Sequence, residues 1–393
     1  MNAFEKRLLV IHFTQDFTYG KPQLGGYGRI LNTLDPAQRH IVYTISARDN
    51  LERKNFTAGK GFEVRQMPAY MSTGRIKERL GCVRNISALM AADLKKQGLE
   101  PDIFFGHSQL PNFLILSRVK RMLKSNSPLI WEFNAIWGGI NVKSLKNRLA
   151  VQIMRHFERT IVKKADALVF QTTAAQEWIK KLYGPSNGIQ LILTNAVPTT
   201  ALVNREFTEK PSIPPKILVN GLFDSMNGLG LMVDYLKKYP QPPVELHFFG
   251  TGPWGEELKK LADGEKVVFH GSVSREVMQK AYLNFDFHLI PRLKRVEADL
   301  FIPSKLLEAM GKGLVPIVSK VRGMTEVVKE DEGFIIEAGS LDALASIFNK
   351  IVELSPEEWL QRSNKSQQKI KEEYLWGENH KKLANLYRNL KKY

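Results

Sequence analysis

The chain has 393 residues, 57 of them Lys or Arg and 40 Asp or Glu, giving a formal charge of +17 with 43% hydrophobic residues. That balance excludes wholesale disorder, and at about 100–200 residues per domain the length is that of two or three domains with sizeable cores. The single cysteine, Cys82, excludes an internal disulfide and a multi-cysteine metal site, which fits a reducing compartment.

In chain order, Leu8 to Phe13 is a short apolar run followed by the glycine-rich segment Tyr19 to Gly28, which reads as a strand and a turn before a helix. Further strands are expected at Ile41 to Ile45, Ile103 to Phe105, Leu129 to Phe133, Ala167 to Gln171 and Gln190 to Leu193, with helices over Arg75 to Lys96 and Arg148 to Lys164. From Pro198 to Lys216 the pattern lapses into threonines and prolines, as in a linker. A second strand series follows at Ile217 to Asn220, Val244 to Phe249, Val267 to His270, Phe287 to Ile290, Val315 to Val318 and Gly333 to Ile336. The tail from Gly377 puts Leu383, Leu386, Tyr387 and Leu390 on one helical face, so it is expected to pack on a domain, the N-terminal one being a candidate.

Alternating strands and helices predict doubly wound parallel sheets. The expected plan is an α/β acceptor domain over residues 1–198, a linker at 199–215, an α/β donor domain over 216–376 and a C-terminal helix at 377–393. Ligands of such sheets bind at the carboxyl ends of the strands, here in an expected cleft between two domains.

No apolar stretch reaches the roughly 18–20 residues that cross a bilayer. The run Leu8 to Phe13 is too short for a signal peptide and lacks a small-residue cleavage site. The cytoplasm is therefore the expected location, with docking on the inner face of the cell membrane as an option.

Residues 300 to 318 are the most informative. Pro303 suits the first turn of a helix, and the amides from Ser304 to Leu306 would then point toward a phosphate. Lys305 adds charge there, and Glu308, one turn after Ser304, is placed to accept hydrogen bonds from a sugar diol such as a ribose. The alternative is an ordinary core helix with a solvated glutamate.

The segment Pro303 to Met310 with Gly311 to Pro316 resembles the signature of the retaining glycosyltransferases of family 4. So do Phe249-Gly-Thr-Gly-Pro253, Val268 to Val273, Arg322 to Val328 and Glu332 to Ile336. Upstream, Gly25 to Arg29, His107, Ile130 to Asn134, Ala165 to Val169 and Asn195 to Val197 fall in the family's order. The resemblance implies a GT-B fold of two Rossmann-like domains, a nucleoside-diphosphate sugar as donor, no cofactor or essential metal, and retention by front-face departure and attack. It places His107 near the transferred sugar and Gly250, Ser304, Lys305, Leu306 and Glu308 around the donor, while the loop with Gly25 and Gly26, following a strand, could bring backbone close to the donor phosphate.

Two departures stand out. The family carries a second acid with seven residues between it and Glu308, and Leu300 occupies that position, leaving Asp299 and Glu297 nearby as substitutes. The family also presents an arginine and a lysine to the diphosphate after the first strand of the C-terminal domain, where Leu222 and Asn227 stand here. Because charge develops on the departing diphosphate, cations must come from elsewhere. Lys305, Arg292, Lys294 and Arg295 are candidates.

The eight histidines are scattered without ligand-like spacing. Glu132, within an apolar strand, is either a satisfied buried carboxylate or an acceptor contact. Residues 1–200 hold 29 basic and 14 acidic side chains against 28 and 26 in the remainder, so nearly all the excess charge is N-terminal. Arg118 to Lys124, including Arg121, with Lys143 to Arg148 and Arg155 to Lys164, read singly as solvated faces and together as a surface for anionic lipid. The family's N-terminal domain takes the acceptor, so a lipid-linked glycan of bacterial surface polysaccharide or lipopolysaccharide assembly is the expected acceptor. Zinc-finger and RNA-recognition signatures are missing, which disfavours nucleic acid. A nucleotide-sugar epimerase of the same architecture and a catalytically silent scaffold are the alternative readings.

Overall fold

The computed structural model describes residues 7–15, 30–46, 55–57, 62–70, 76–107, 110–136, 145–203 and 211–391. The chain divides into two compact units, Met1–Leu193 with Asn379–Tyr393, and Thr194–Glu378. The units part before Pro198, the boundary expected from composition. Val197 already pairs with unit 2: its amide donates to the Tyr374 carbonyl at 2.8 Å, and its carbonyl accepts from Trp376 at 3.0 Å.

Unit 1 holds an eight-stranded sheet built from β1 (Leu9–Gln15), β2 (Arg39–Ser46), β3 (Asn55–Thr57), β4 (Phe62–Tyr70), β5 (Ile103–His107), β6 (Leu129–Phe133), β7 (Ala167–Phe170) and β8 (Ile189–Ile192). Their order is β3-β4-β2-β1-β5-β6-β7-β8, parallel except for the β3–β4 pair. Strands β5, β6 and β7 are buried at every residue, which is why they read as short apolar runs rather than alternations. Strand β4 escaped the sequence pattern. Its Arg65 is buried and held by Glu63, Asp93, Gln97 and Tyr43, so a charge interrupts the apolar signal.

Helices of unit 1 among the described residues include α1 (Ile76–Lys96), α2 (Leu110–Met122), α3 (Leu145–Lys164) and α4 (Thr173–Tyr183), the last capped by the Thr172 hydroxyl accepting from the Ala175 amide at 3.0 Å. The C-terminal portion of the helix Trp376–Lys391 also belongs here. Its Leu383, Leu386, Tyr387 and Leu390 join Val10, Ile103, Phe105 and Ile130 in one buried cluster.

Unit 2 holds a parallel six-stranded sheet of β9 (Lys216–Leu222), β10 (Glu245–Thr251), β11 (Val267–Gly271), β12 (Phe287–Ile290), β13 (Val315–Ser319) and β14 (Phe334–Ile336). The order β11-β10-β9-β12-β13-β14 is the doubly wound one, with the reversal between β9 and β12. In unit 1 the reversal lies between β1 and β5. Clusters of buried titratable side chains, His12, His107 and Glu132 in unit 1 and Arg292 with Lys305 in unit 2, sit at these reversals. Of the unit 2 helices, α5 (Arg275–Ala281), α6 (Val296–Leu300), α7 (Ser304–Gly311) and α8 (Arg322–Thr325) shape its site.

Candidate functional site

At the reversal of unit 2, β9 ends in Asn220 and Gly221. Asn220 is a polar residue in an apolar strand, and its amide is held at both ends: Nδ2 donates to the Tyr282 hydroxyl at 2.9 Å and Oδ1 accepts from His288 Nε2 at 2.9 Å. His288 is therefore protonated on Nε2, and burial holds it well below the ordinary histidine value, helped by the nearby Lys305 ammonium. With its side chain fixed, Asn220 offers its carbonyl to the Lys305 ammonium, which donates to it. Gly221 adopts φ 116°, and a Cβ there would lie 2.9 Å from Lys305 Nζ, so the lysine reaches this place because residue 221 has no side chain.

Arg292 follows β12 and is only 8% exposed. One guanidinium nitrogen donates to the Phe301 carbonyl at 3.0 Å, while its buried Nε has no hydrogen-bond partner among the described residues. Burial, and then the charge of Arg292, push Lys305 down to about 7. Burial pushes Arg292 down to about 10. Asp224 opposes both shifts and is the counter-charge of the cluster. Its Oδ1 also accepts from the Asn227 amide at 2.8 Å and side chain at 2.9 Å. Two cations pressed together beside one carboxylate are arranged to take a further anion.

Helix α7 follows Pro303, which stands just before the helix rather than in its first turn. Ser304 is exposed, but the Leu306 amide already donates to the Pro303 carbonyl at 3.1 Å and the Leu306 side chain is in the core. The expectation that Leu306 offers a free amide is corrected accordingly, because the first turn closes tightly on Pro303. The Glu308 carboxylate accepts from Arg275 at 3.3 Å and Gln279 at 3.0 Å, both on α5. Burial raises its pKa, opposed by Arg275, Gln279 and Lys312.

At the position of the second acid Leu300 is buried, while of the two nearby carboxylates Asp299 accepts from the Arg322 amide at the start of α8 at 2.8 Å and Glu297 is half-buried on α6. Gly250 serves packing between strands: a Cβ on it would lie 1.9 Å from the Gly221 carbonyl oxygen. Leu222 is 55% exposed. Lys294 and Arg295 are exposed, and Arg295 donates to the Ser225 hydroxyl at 3.3 Å.

At the reversal of unit 1, His107 ends β5 and is 2% exposed. Its Nδ1 lies 2.7 Å from Glu132 Oε2 and its Nε2 3.0 Å from His12 Nδ1. Both ring nitrogens are thus engaged inside the sheet. His12 Nε2 lies 2.9 Å from His40 Nδ1, and His40 Nε2 donates to the Asp35 carbonyl at 2.9 Å. Three histidines that look scattered in sequence form a file, because β2, β1, β5 and β6 lie side by side. Glu132 also accepts from Asn134 at 3.1 Å, so it is a satisfied buried carboxylate.

Arg118 is half-buried on α2 with an Nε that has no partner among the described residues, and Arg121 is exposed. Gly25 and Gly26 lie outside the described residues, as do the side chains of Lys143 to Arg148. Among the described residues no group of three or more His, Cys, Asp or Glu could hold a metal ion, and no helix is long and apolar enough to cross a membrane.

The sequence reading missed Asn220, Asp224, Arg275, Gln279, Tyr282 and His288. A polar residue inside an apolar strand was the available signal for Asn220 and His288. None existed for Arg275 and Gln279, which reach Glu308 from another helix.

Residues 214–354 match the model of the glycosyl transferases group 1 family. The sulfoquinovosyl transferase SQD2 of Arabidopsis thaliana is 26% identical over 132 residues, 33% of this chain, and the match spans only 24% of that protein. Among solved structures, sucrose-phosphate synthase from Thermosynechococcus elongatus superimposes with a TM-score of 0.75 at 15% identity, covering 98% of this chain and 100% of that one. The Anabaena protein Alr3699/HepE, solved with UDP and glucose, gives 0.69 at 14% identity, covering 98% and 100%.

The fold is GT-B, with two Rossmann-like domains. The region that matches the group 1 glycosyl transferases contains Asn220, Lys305, Arg292, Arg275 and Glu308.

Proposed function

We propose that the chain is a retaining glycosyltransferase of family 4 that moves a sugar from a nucleoside-diphosphate sugar to a glycan acceptor, one carried on a lipid in bacterial surface polysaccharide or lipopolysaccharide assembly. The observation that carries the reading is the Lys305, Arg292 and Asp224 cluster at the strand reversal of unit 2, inside the matched region. Open sheets bind ligands at that point.

In this reading Lys305 and Arg292 replace the cations missing at Leu222 and Asn227. The diphosphate gathers charge as its bond to the sugar breaks, and two cations fixed before the reaction stabilise that charge without reorganising. Glu308, oriented by Arg275 and Gln279, accepts from hydroxyls of the nucleoside ribose or the sugar. The departing diphosphate is already a stable anion, so it needs little general-acid help, and its oxygen takes the proton of the attacking hydroxyl on the same face. The reading assigns the reaction no metal and no cofactor. Unit 1 takes the acceptor, and its basic residues, Arg118 and Arg121 among them, meet an anionic membrane surface from the cytoplasmic side.

Thermal stabilisation by UDP, GDP, ADP and dTDP sugars tests the reading, because a ligand selective for the folded state raises stability by mass action. Saturable stabilisation by one nucleotide class, lost with Lys305→Met, is the expected result. The exposure of Leu222 favours a second reading, a silent scaffold, for which no donor stabilises the folded chain.

A further inference from the structure

The histidine file of unit 1 has a proton count that its hydrogen bonds fix. The links are His40 to the Asp35 carbonyl, His40 to His12, His12 to His107 and His107 to Glu132, at 2.9, 2.9, 3.0 and 2.7 Å. Each link needs one proton, and a carbonyl supplies none. Three neutral imidazoles hold one proton each and a carboxylate holds none. Filling the four links therefore takes one proton more than these groups carry separately at neutral pH.

All four side chains are 2% exposed or less, so an empty link would leave two lone pairs facing each other in the interior, at the cost of an unsatisfied buried polar group. We propose that His40, His12, His107 and Glu132 form a hydrogen-bonded wire that stores this extra proton, and that His12 and His40 are positioning residues keeping the His107–Glu132 pair uncharged as a unit.

The resting arrangement follows link by link. The Asp35 carbonyl can only accept, so His40 carries its proton on Nε2 and accepts at Nδ1. His12 then donates from Nε2 and accepts at Nδ1, and His107 donates from Nε2. The extra proton lies between His107 Nδ1 and Glu132 Oε2, where the carboxylate is adjacent. The far end is less suited to a positive charge: Arg7 and His380 face His40, and burial holds His40 near 4. Among the described residues, the other groups facing the wire include the buried Tyr387 hydroxyl, near Glu132 and Asp35, and Phe105, stacked on both His12 and His107. Asn134 donates to the Glu132 end.

The count stands on this geometry alone. Its bearing on catalysis rests on the reading of unit 1 as the acceptor side, where an ionised Glu132 would repel a phosphate-bearing ligand and a neutral pair does not.

Removing the acceptor for His12 Nε2 should reset the wire. In His40→Leu, His12 moves its proton to Nδ1 and donates to His107 Nε2. His107 then donates from Nδ1 to an ionised Glu132, and one proton leaves to solvent. His40→Gln keeps an acceptor for His12 and should keep the stored proton.

The test is nitrogen-15 histidine NMR on the full chain, with assignments from His12→Gln and His40→Gln, together with denaturant unfolding between pH 7 and 9. The expected spectrum has His40 and His12 protonated on Nε2 and untitrated from pH 6 to 8, and His107 Nε2 protonated with a shared proton at Nδ1. A folded state that binds one more proton than the unfolded chain loses stability as pH rises, so its unfolding constant should climb up to about tenfold more per pH unit in the wild type than in His40→Leu or Glu132→Gln. His40→Gln should follow the wild type. A His107 bare at Nε2, either His12 or His40 titrating near 6.5, or equal pH slopes in wild type and both variants would overturn the proposal. The NMR needs no donor or acceptor, so failure of the wire is distinct from failure of the glycosyltransferase reading.

Discussion

The Lys305 ammonium occupies the space that a side chain on Gly221 would fill, 2.9 Å from where its Cβ would be. A lysine pushed down to about 7 is largely neutral at pH 8, and an arriving diphosphate favours the charged form. Binding of UDP at pH 8 should therefore draw up to one proton from solution, read by calorimetry in buffers of different ionisation enthalpy. Lys305→Met should abolish that uptake and weaken binding about tenfold to a hundredfold, as loss of a charged hydrogen bond of about 1.5–3 kcal/mol does.

The same shift has a consequence without ligand. Lys305 in the folded chain sits below its unfolded value of 10.5, so between about pH 7 and 10.5 the unfolded state binds more protons. This residue then adds stability as pH rises through that window. Lys305→Met should flatten the rise in unit 2, measured by denaturant unfolding at pH 7 and 9.

Glu308 is held by Arg275 and Gln279, and Arg275 is 40% exposed at that contact. Such a pair contributes about 0–1 kcal/mol, so Arg275→Ala should leave the melting temperature nearly unchanged. It should nonetheless reduce stabilisation by the donor, because the carboxylate loses its orientation. Glu308→Ala should remove most of the donor stabilisation. Retained donor response in Glu308→Ala would remove this residue from the site.

Gly250→Ala should destabilise unit 2 by about 2–5 kcal/mol, since its Cβ would meet the Gly221 carbonyl oxygen at 1.9 Å and the strands must separate. Gly81→Ala is the contrasting case: it lies within α1 with nothing within 4 Å of the added carbon, so it should stabilise unit 1 by about 0.5–1 kcal/mol. Thermal unfolding of both variants reads the difference.

Leu383 on the C-terminal helix is fully buried against the β1, β5 and β6 core. Leu383→Ala should cost unit 1 about 2–5 kcal/mol, with the donor response of unit 2 intact. Loss of both together would show that the two units unfold as one.

Glycosyl transfer, in the proposed reading, should survive a chelator such as EDTA undiminished. Loss of activity restored by a divalent ion would require a metal in the mechanism.

The α/β class, both strand series and the Pro303 to Gly311 segment were legible in the chain, because apolar runs bounded by turns are local and a helix start announces itself within a few residues. The same reading could not see β4, whose buried Arg65 interrupts the apolar pattern. Nor could it tell that Asp299 would be spent on the Arg322 amide, or that Leu306 would close its own turn.

Sequence by itself determined most of the strands, though not β3 and β4, and that a lysine and a carboxylate share one helix. Tertiary structure alone decided what faces them. His12 meets His40 and His107 because β1 lies between β2 and β5, and Lys305 meets Asn220 because α7 returns to the end of β9. Strand order and the close approach allowed by a missing side chain set these contacts. Both depend on residues far apart in the chain, and no local pattern records them.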